Sequence, residues 1–189
     1  NSVFILNKIG FDQLNKNEKY HPTKLDFYSI NNNKICDLDL TTFNSANVKY
    51  TTIKRSILIK FLKEKLFSNS IIFRKKINGV EQINGKINIH FIDGSSDKVD
   101  YLVVSDGVFS HTKSVIEKKF FNPSYYGAVA IRTQIATQDI SNLNSNNISL
   151  IMGSDTHLVL YPMNGQKEIN LVCIIRQKSE NSDSIKMIL

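Results

Sequence analysis

Val99-Asp100-Tyr101-Leu102-Val103-Val104-Ser105-Asp106-Gly107-Val108-Phe109-Ser110-His111-Thr112-Lys113 is the stretch on which the fold turns. It opens as a nearly unbroken apolar run, Tyr101 to Val104, the pattern of a strand buried on both faces of a parallel sheet. The run stops at Ser105-Asp106-Gly107, and a short helical pattern follows. In open α/β sheets, ligands bind beyond the carboxyl ends of the strands, and Asp106 and Gly107 stand at such an end. Gly107 accepts a positive φ and admits a close ligand. Ser110 is placed to cap the next helix, whose first N–H groups would face an anion. Read from the residues alone, the string is equally an ordinary β-turn-α connection with Asp-Gly as its turn.

On the C-terminal side, Ser114 to Phe121 continues the helix until Pro123 ends it. Tyr126 to Ile135 reads as a strand with Ala128, Ala130, Arg132 and Gln134 on one face. Ile148 to Met152, Thr156 to Met163 and Ile169 to Ile175 follow as strands, with tight turns at Gly153-Ser154-Asp155 and Asn164-Gly165. An antiparallel sheet is the expected outcome. Asp139 to Asn147 is a polar loop.

On the N-terminal side, Asp93-Gly94 makes a turn after two expected strands, Ser70 to Ile77 and Lys86 to Phe91, joined across Asn78-Gly79 and Asn84-Gly85. Phe73, Ile87 and Ile89 are the expected core there. Tyr50 to Phe67 is the clearest helix, with Ile53, Ile57, Phe61 and Leu58, Leu62, Leu66 along one side and lysines on the other. Leu25 to Ile30 and Lys34 to Leu40 flank Asn31-Asn32-Asn33, a hairpin loop signal. Before them, Phe4, Ile5 and Ile9 end an amphipathic helix closed by Gly10.

The chain has 189 residues, 41% hydrophobic and 22% charged, which is the composition of a globular protein with a real core. No apolar run approaches the ~18 residues that span a bilayer; contact at a membrane surface stays open, as does the oligomeric state. Cys36 and Cys173 lack metal or redox spacing, so no metal site is expected and the predicted location is cytoplasmic. Lys+Arg number 24 against 17 Asp+Glu, a net charge of +7. The lysines are scattered among abundant Asn and Ile, so a small-molecule enzyme is expected in preference to a nucleic-acid binder. The opening residue is Asn and the last six stop in mid-pattern, which predicts an internal piece of a longer protein.

Four stretches carry a resemblance. Residues 102–113 resemble the "GADG-x-x-S-x-x-R" segment of the flavin-dependent aromatic hydroxylases, the family of para-hydroxybenzoate and salicylate hydroxylases. Val104, Ser105 and Lys113 depart from it, the last losing the planar fork of an arginine. Lys54-Arg55-Ser56-Ile57-Leu58 with Leu62 looks like the family's "R-x-x-L-x-x-x-L" segment. Tyr126 to Arg132 looks like "Y-x-G-x-x-A-x-R", and Met152 to Pro162 resembles "G...H-x-V-x-Y-P" of salicylate-hydroxylase-like members. "LNKIGFDQL" is similar to the stretch that follows the family's dinucleotide-binding unit.

The resemblance implies a mixed α/β (α+β) fold: part of a Rossmann-like FAD-binding domain, residues 1–22 and 48–121, interleaved with an antiparallel substrate-binding sheet, residues 23–47 and 122–189. It implies FAD as cofactor, with Arg55, Asp106, Gly107 and Ser110 as contacts, although Arg55 by itself reads as a solvated base. It implies NAD(P)H as co-substrate, O2, and a small phenolic substrate hydroxylated through a C4a-hydroperoxyflavin. Arg132 faces substrate or supports the sheet by pairing, and Pro162 adds to the substrate wall. His157 and Tyr161 are four apart in a strand, share a face with Val159 between them, and stand roughly 13 Å apart along the backbone. A histidine there can accept a phenolic proton, and a tyrosine can orient a hydroxyl or carboxylate; on an arbitrary strand the pair would read as ordinary sheet residues. A hydroxylase of a polyprenylated phenol in ubiquinone biosynthesis is the alternative within the family. A non-catalytic flavin-fold or basic binding module is the alternative outside it.

Overall fold

Alternating apolar residues between turn signals build the largest element, a six-stranded sheet. In the computed structural model, which describes residues 2–45, 48–67, 70–140 and 143–177, the elements in chain order are α1 (Ser2–Asn7), β1 (Lys19–Tyr20), β2 (Lys24–Ser29), β3 (Lys34–Asp39), β4 (Thr52–Ile53), α2 (Arg55–Glu64), β5 (Ile77–Ile83), β6 (Lys86–Phe91), β7 (Ser96–Val99), α3 (His111–Glu117), β8 (Ala128–Ala136), β9 (Ile148–Met152), β10 (Thr156–Met163) and β11 (Glu168–Arg176). They group into two compact units: residues 1–66 with 127–189, and residues 67–126. In the first unit, β1 and β4 lie against β10 of the large sheet.

In the first unit the strand order is β3-β2-β9-β10-β11-β8. The hairpin expected around Asn31-Asn32-Asn33 forms, with Asn32 at φ 62°. It joins the sheet through β2 against β9, and that pair is parallel. The expectation of a wholly antiparallel sheet therefore holds for every pair but one. β2 and β9 are far apart in sequence, so no short turn forces them to run in opposite directions.

The buried apolar residues of this unit include Ile148, Leu160, Met163, Ile169 and Val172 on the sheet, with Phe11 and Phe61 beside it. The two phenylalanine rings meet edge to face with centroids 5.7 Å apart, a geometry favoured by the ring quadrupoles. Asp26 is 2% exposed. Its Oδ2 accepts a hydrogen bond from Asn147 Nδ2 at 2.7 Å, and Lys34 Nζ lies 2.8 Å from Oδ1. A buried carboxylate needs such partners.

The long helix is shorter than its apolar spacing suggests. α2 covers Arg55–Glu64, not Tyr50 to Phe67. Thr52 and Ile53 are β-branched and pair as β4 with Lys19 and Tyr20, which suits their preference for extended backbone. At the other end Phe67 is 87% exposed, so nothing rewards continuing the helix.

The second unit holds the antiparallel sheet β5-β6-β7. Its turns fall at Asn84-Gly85, with φ of 51° and 75°, and at Asp93-Gly94, as expected. The first strand is displaced from Ser70–Ile77 to β5. Asn78-Gly79 lies inside it at a register shift instead of making a turn, a common position for a strand glycine. Ile89 is buried, whereas Phe73 is 71% exposed and is not core. α3 ends at Lys118, which takes the left-handed conformation (φ 52°), several residues before Pro123.

The stretch on which the sequence turned departs most. Tyr101 to Val104 forms no strand, and Tyr101 and Val103 are 88% and 85% exposed. A strand forms only against a pairing neighbour, and no described strand pairs with this run. Its apolar pattern is that of a buried strand without the sheet that would bury it.

The final residues, 184–189, lie outside the described residues. No described helix is long and apolar enough to cross a membrane, and no described group of three or more His, Cys, Asp or Glu side chains is arranged to hold a metal ion.

Candidate functional site

In the first unit the strand register decides which side chains meet. Residues paired directly across strands share a sheet face. Ile174 pairs with His157 and Ala130, and His157 pairs with Met152. The next row runs Arg132, Val172, Val159, Leu150, Phe27. A third holds Gln134, Asn170 and Tyr161. His157, Tyr161 and Arg132 therefore occupy one face around an apolar floor of Val159, Val172 and Leu150. Arg132 lies on the row that passes between His157 and Tyr161, two strands away, or about 10 Å at the usual strand spacing.

His157 and Tyr161 are half-buried, and Arg132 is exposed on the edge strand β8. Among the described residues, neither the His157 ring nor the Tyr161 hydroxyl has a hydrogen-bond partner, and Arg132 has no ion pair. Among the described residues, no side chain pairs with Arg132 to support the sheet. All three polar groups are left available to a ligand.

Pro162 does not join them. Alternation along β10 puts it on the opposite face from Tyr161, and its side chain is fully buried. Its carbonyl accepts a hydrogen bond from Thr52 Oγ1, which ties β4 to the sheet. The contribution to a substrate wall expected of it is thereby corrected.

Asn170 was not singled out by the sequence. Its Nδ2 is buried and has no hydrogen-bond partner among the described residues. An amide donor buried in this way costs about 1–3 kcal/mol until something accepts from it. The signal in the sequence was only its place in the alternation of Glu168 to Arg176; the row it shares with Tyr161 exists only once β10 and β11 pair.

Arg55 is the first residue of α2 and is exposed. Lys54, immediately before it, forms an ion pair with Glu168 at the start of β11. That contact anchors the beginning of the helix to the sheet, and among the described residues the Arg55 guanidinium has no ion pair.

In the second unit, Gly107 adopts φ 84°, and a Cβ built on it would meet no atom within 4 Å. The turn therefore presents bare backbone to open space. Ser110 is the cap it was expected to be: its Oγ accepts from Lys113 N–H at 3.0 Å. Asp106 Oδ2 accepts from Thr112 N–H at 3.2 Å, and Asp106 Oδ1 accepts from the Ser110 hydroxyl. The Ser110 hydroxyl is the main reason the Asp106 carboxyl sits below its usual pKa; burial opposes it, and hydrogen bonds from Thr112 lower it further. Two helix N–H groups expected to face an anion are thus already satisfied from within the turn. Asp106 and Ser110 hold the loop in shape, and Gly107 is the atom-thin surface that the loop offers.

No protein-family model matches the chain. Among curated proteins, it is 25% identical over 147 residues to an FAD-dependent monooxygenase of Phoma sp, covering 71% of this chain and 32% of that protein. It is 25% identical over 149 residues to salicylate hydroxylase of Pseudomonas putida, covering 72% of this chain and 34% of the relative. The chain thus spans about a third of the length of the curated relatives it matches. Among solved structures, it superposes on a salicylate hydroxylase substrate complex with a TM-score of 0.77 at 14% identity, covering 98% of this chain and 53% of that one. On Klebsiella pneumoniae HpxO complexed with FAD and uric acid the TM-score is 0.78 at 13% identity, covering 98% and 48%. The mixed α/β fold is that of the salicylate hydroxylase-like flavoprotein hydroxylases.

Proposed function

We propose that the protein carrying this chain is an FAD-dependent monooxygenase that hydroxylates a small aromatic, phenolic substrate with NAD(P)H and O2. The observation that carries this reading is the single sheet face on which His157, Tyr161 and Arg132 surround an apolar floor without partners of their own among the described residues. An apolar floor with a few convergent polar groups is what a small-molecule site requires.

On this reading the ring of the substrate lies over Val159 and Val172, bracketed by His157 and Tyr161. His157 accepts the phenolic proton, which raises the electron density of the ring. Tyr161 donates to substrate oxygen, and Arg132 balances an acidic substituent through its planar fork. Gly107 lets the FAD pyrophosphate approach the backbone, in a turn that Asp106 and Ser110 keep in place. Arg55 is a further FAD contact. Bound FAD supplies the oxygen chemistry; the protein orients the substrate and moves its proton.

The test begins with an absorbance spectrum of the protein carrying this chain, followed by NAD(P)H oxidation with a panel of phenols. A flavin spectrum with phenol-stimulated oxidation is expected. His157→Ala is expected to lose product formation while flavin reduction persists. A colourless protein that neither binds added FAD nor consumes NAD(P)H would end this reading.

A further inference from the structure

A cavity lies in the first unit, built from none of the residues discussed above as a candidate site. It has a volume of about 540 Å³ and is lined by α1, β1 and the segments beside them. Val3, Phe11 and Leu14 make its apolar wall, and Lys16, Lys19 and Lys49 bring three positive charges to it. Asp12 is the one acidic residue in the lining. The cavity is therefore apolar in its body and cationic in its charge.

Lys19 is the unusual member. It is only 8% exposed. Its Nζ donates to the carbonyls of Phe11 at 3.0 Å and Asp12 at 2.6 Å, which uses two of the three ammonium donors. Buried cations are normally paired, and Lys19 has no ion-pair partner among the described residues. Burial lowers its pKa, opposed by the charge of Asp12. His21, also in the lining, lies within hydrogen-bond reach of the Tyr50 carbonyl at 3.2 Å and Thr51 Oγ1 at 3.0 Å. Its pKa is lowered by burial first and then by the charges of Lys49 and Lys19, against the opposing hydrogen bond to Tyr50. A low-dielectric concavity with one sign of charge concentrates ligands of the other sign.

We propose that this cavity binds a small organic anion with an apolar body, a carboxylate whose head takes the remaining Lys19 donor and whose chain lies against Phe11 and Leu14. The size matches small-molecule pockets in general. Lys16 and Lys49 bring two further cations toward the carboxylate. The proposal does not depend on the flavin reading, because it uses no residue of the His157 face, Arg55 or the Gly107 turn.

The test is a titration of the protein carrying this chain with octanoate, followed through the ring resonances of His21 by NMR. A saturable shift of His21 is expected. Lys19→Met should weaken it at least tenfold, and Lys49→Gln and Lys16→Gln several-fold each, while Lys86→Gln in the hairpin sheet leaves it unchanged. Should Lys19→Met fail to fold, the Lys49 and Lys16 variants carry the test. Inorganic phosphate should bind at least tenfold more weakly than octanoate, and 1-octanol likewise. No saturable shift of His21, or wild-type affinity in the lysine variants, would overturn the site. Equal binding of phosphate would overturn the apolar body, and equal binding of octanol would overturn the anionic head.

Discussion

Gly107 and Gly94 form a matched pair for testing whether the Asp106-Gly107 turn meets a cofactor. Their φ values are 84° and 82°, and a Cβ on either meets no protein atom within 4 Å. Alanine at each position pays only for the left-handed backbone, about 1–2 kcal/mol, with no steric term from the protein. Gly107→Ala and Gly94→Ala should therefore lower apo stability by the same small amount in urea denaturation. Their FAD affinities should differ. If the cofactor pyrophosphate lies against Gly107, the new methyl group occupies its place, and the loss should reach at least tenfold in Kd, or about 1.4 kcal/mol. Gly94→Ala should bind FAD as the parent does. Flavin fluorescence titration of both variants measures the difference. Equal FAD affinity in the two would refute the reasoning, because the backbone at Gly107 would then be as far from the cofactor as the hairpin tip at Gly94.

Other expectations follow from single contacts. Ser110→Ala removes the cap of α3 and the hydroxyl that holds Asp106, so it should cost about 1 kcal/mol of stability, read as a shift in the urea midpoint. Asp26→Ala leaves the Asn147 amide buried without its acceptor and should cost roughly 2–4 kcal/mol; an unchanged midpoint would show that the site relaxes or admits water. Arg132→Gln should raise KM for an acidic phenol far more than for a neutral one, with kcat for the neutral substrate little altered, in steady-state assays. The Asp93 carboxyl is held at about 2, chiefly by Lys75 and then by Ser95. Its pKa is depressed on folding, so its stabilising effect is complete above the ordinary value near 3.8 and disappears as pH falls toward 2. Lys75→Met should flatten that part of the stability–pH curve in chemical denaturation.

The sequence by itself determined what local chemistry controls. Ser110 caps α3 because a hydroxyl at that position satisfies a free N–H wherever a helix begins. Asn32, Asn84-Gly85 and Asp93-Gly94 make turns because those residues tolerate the backbone required. The strands β8, β10 and β11 were legible from period-two alternation, which also placed His157 and Tyr161 on one face. Only the tertiary structure decided what depends on distant partners. Register across β8, β11 and β10 brought Arg132 and Asn170 to that face, and no pattern within one strand encodes the register of another. The same dependence turned Thr52-Ile53 from helix into strand, because Lys19-Tyr20 supplied a pairing edge. It left Tyr101 to Val104 exposed, because burial of an apolar strand is a property of the sheet around it and not of its own residues.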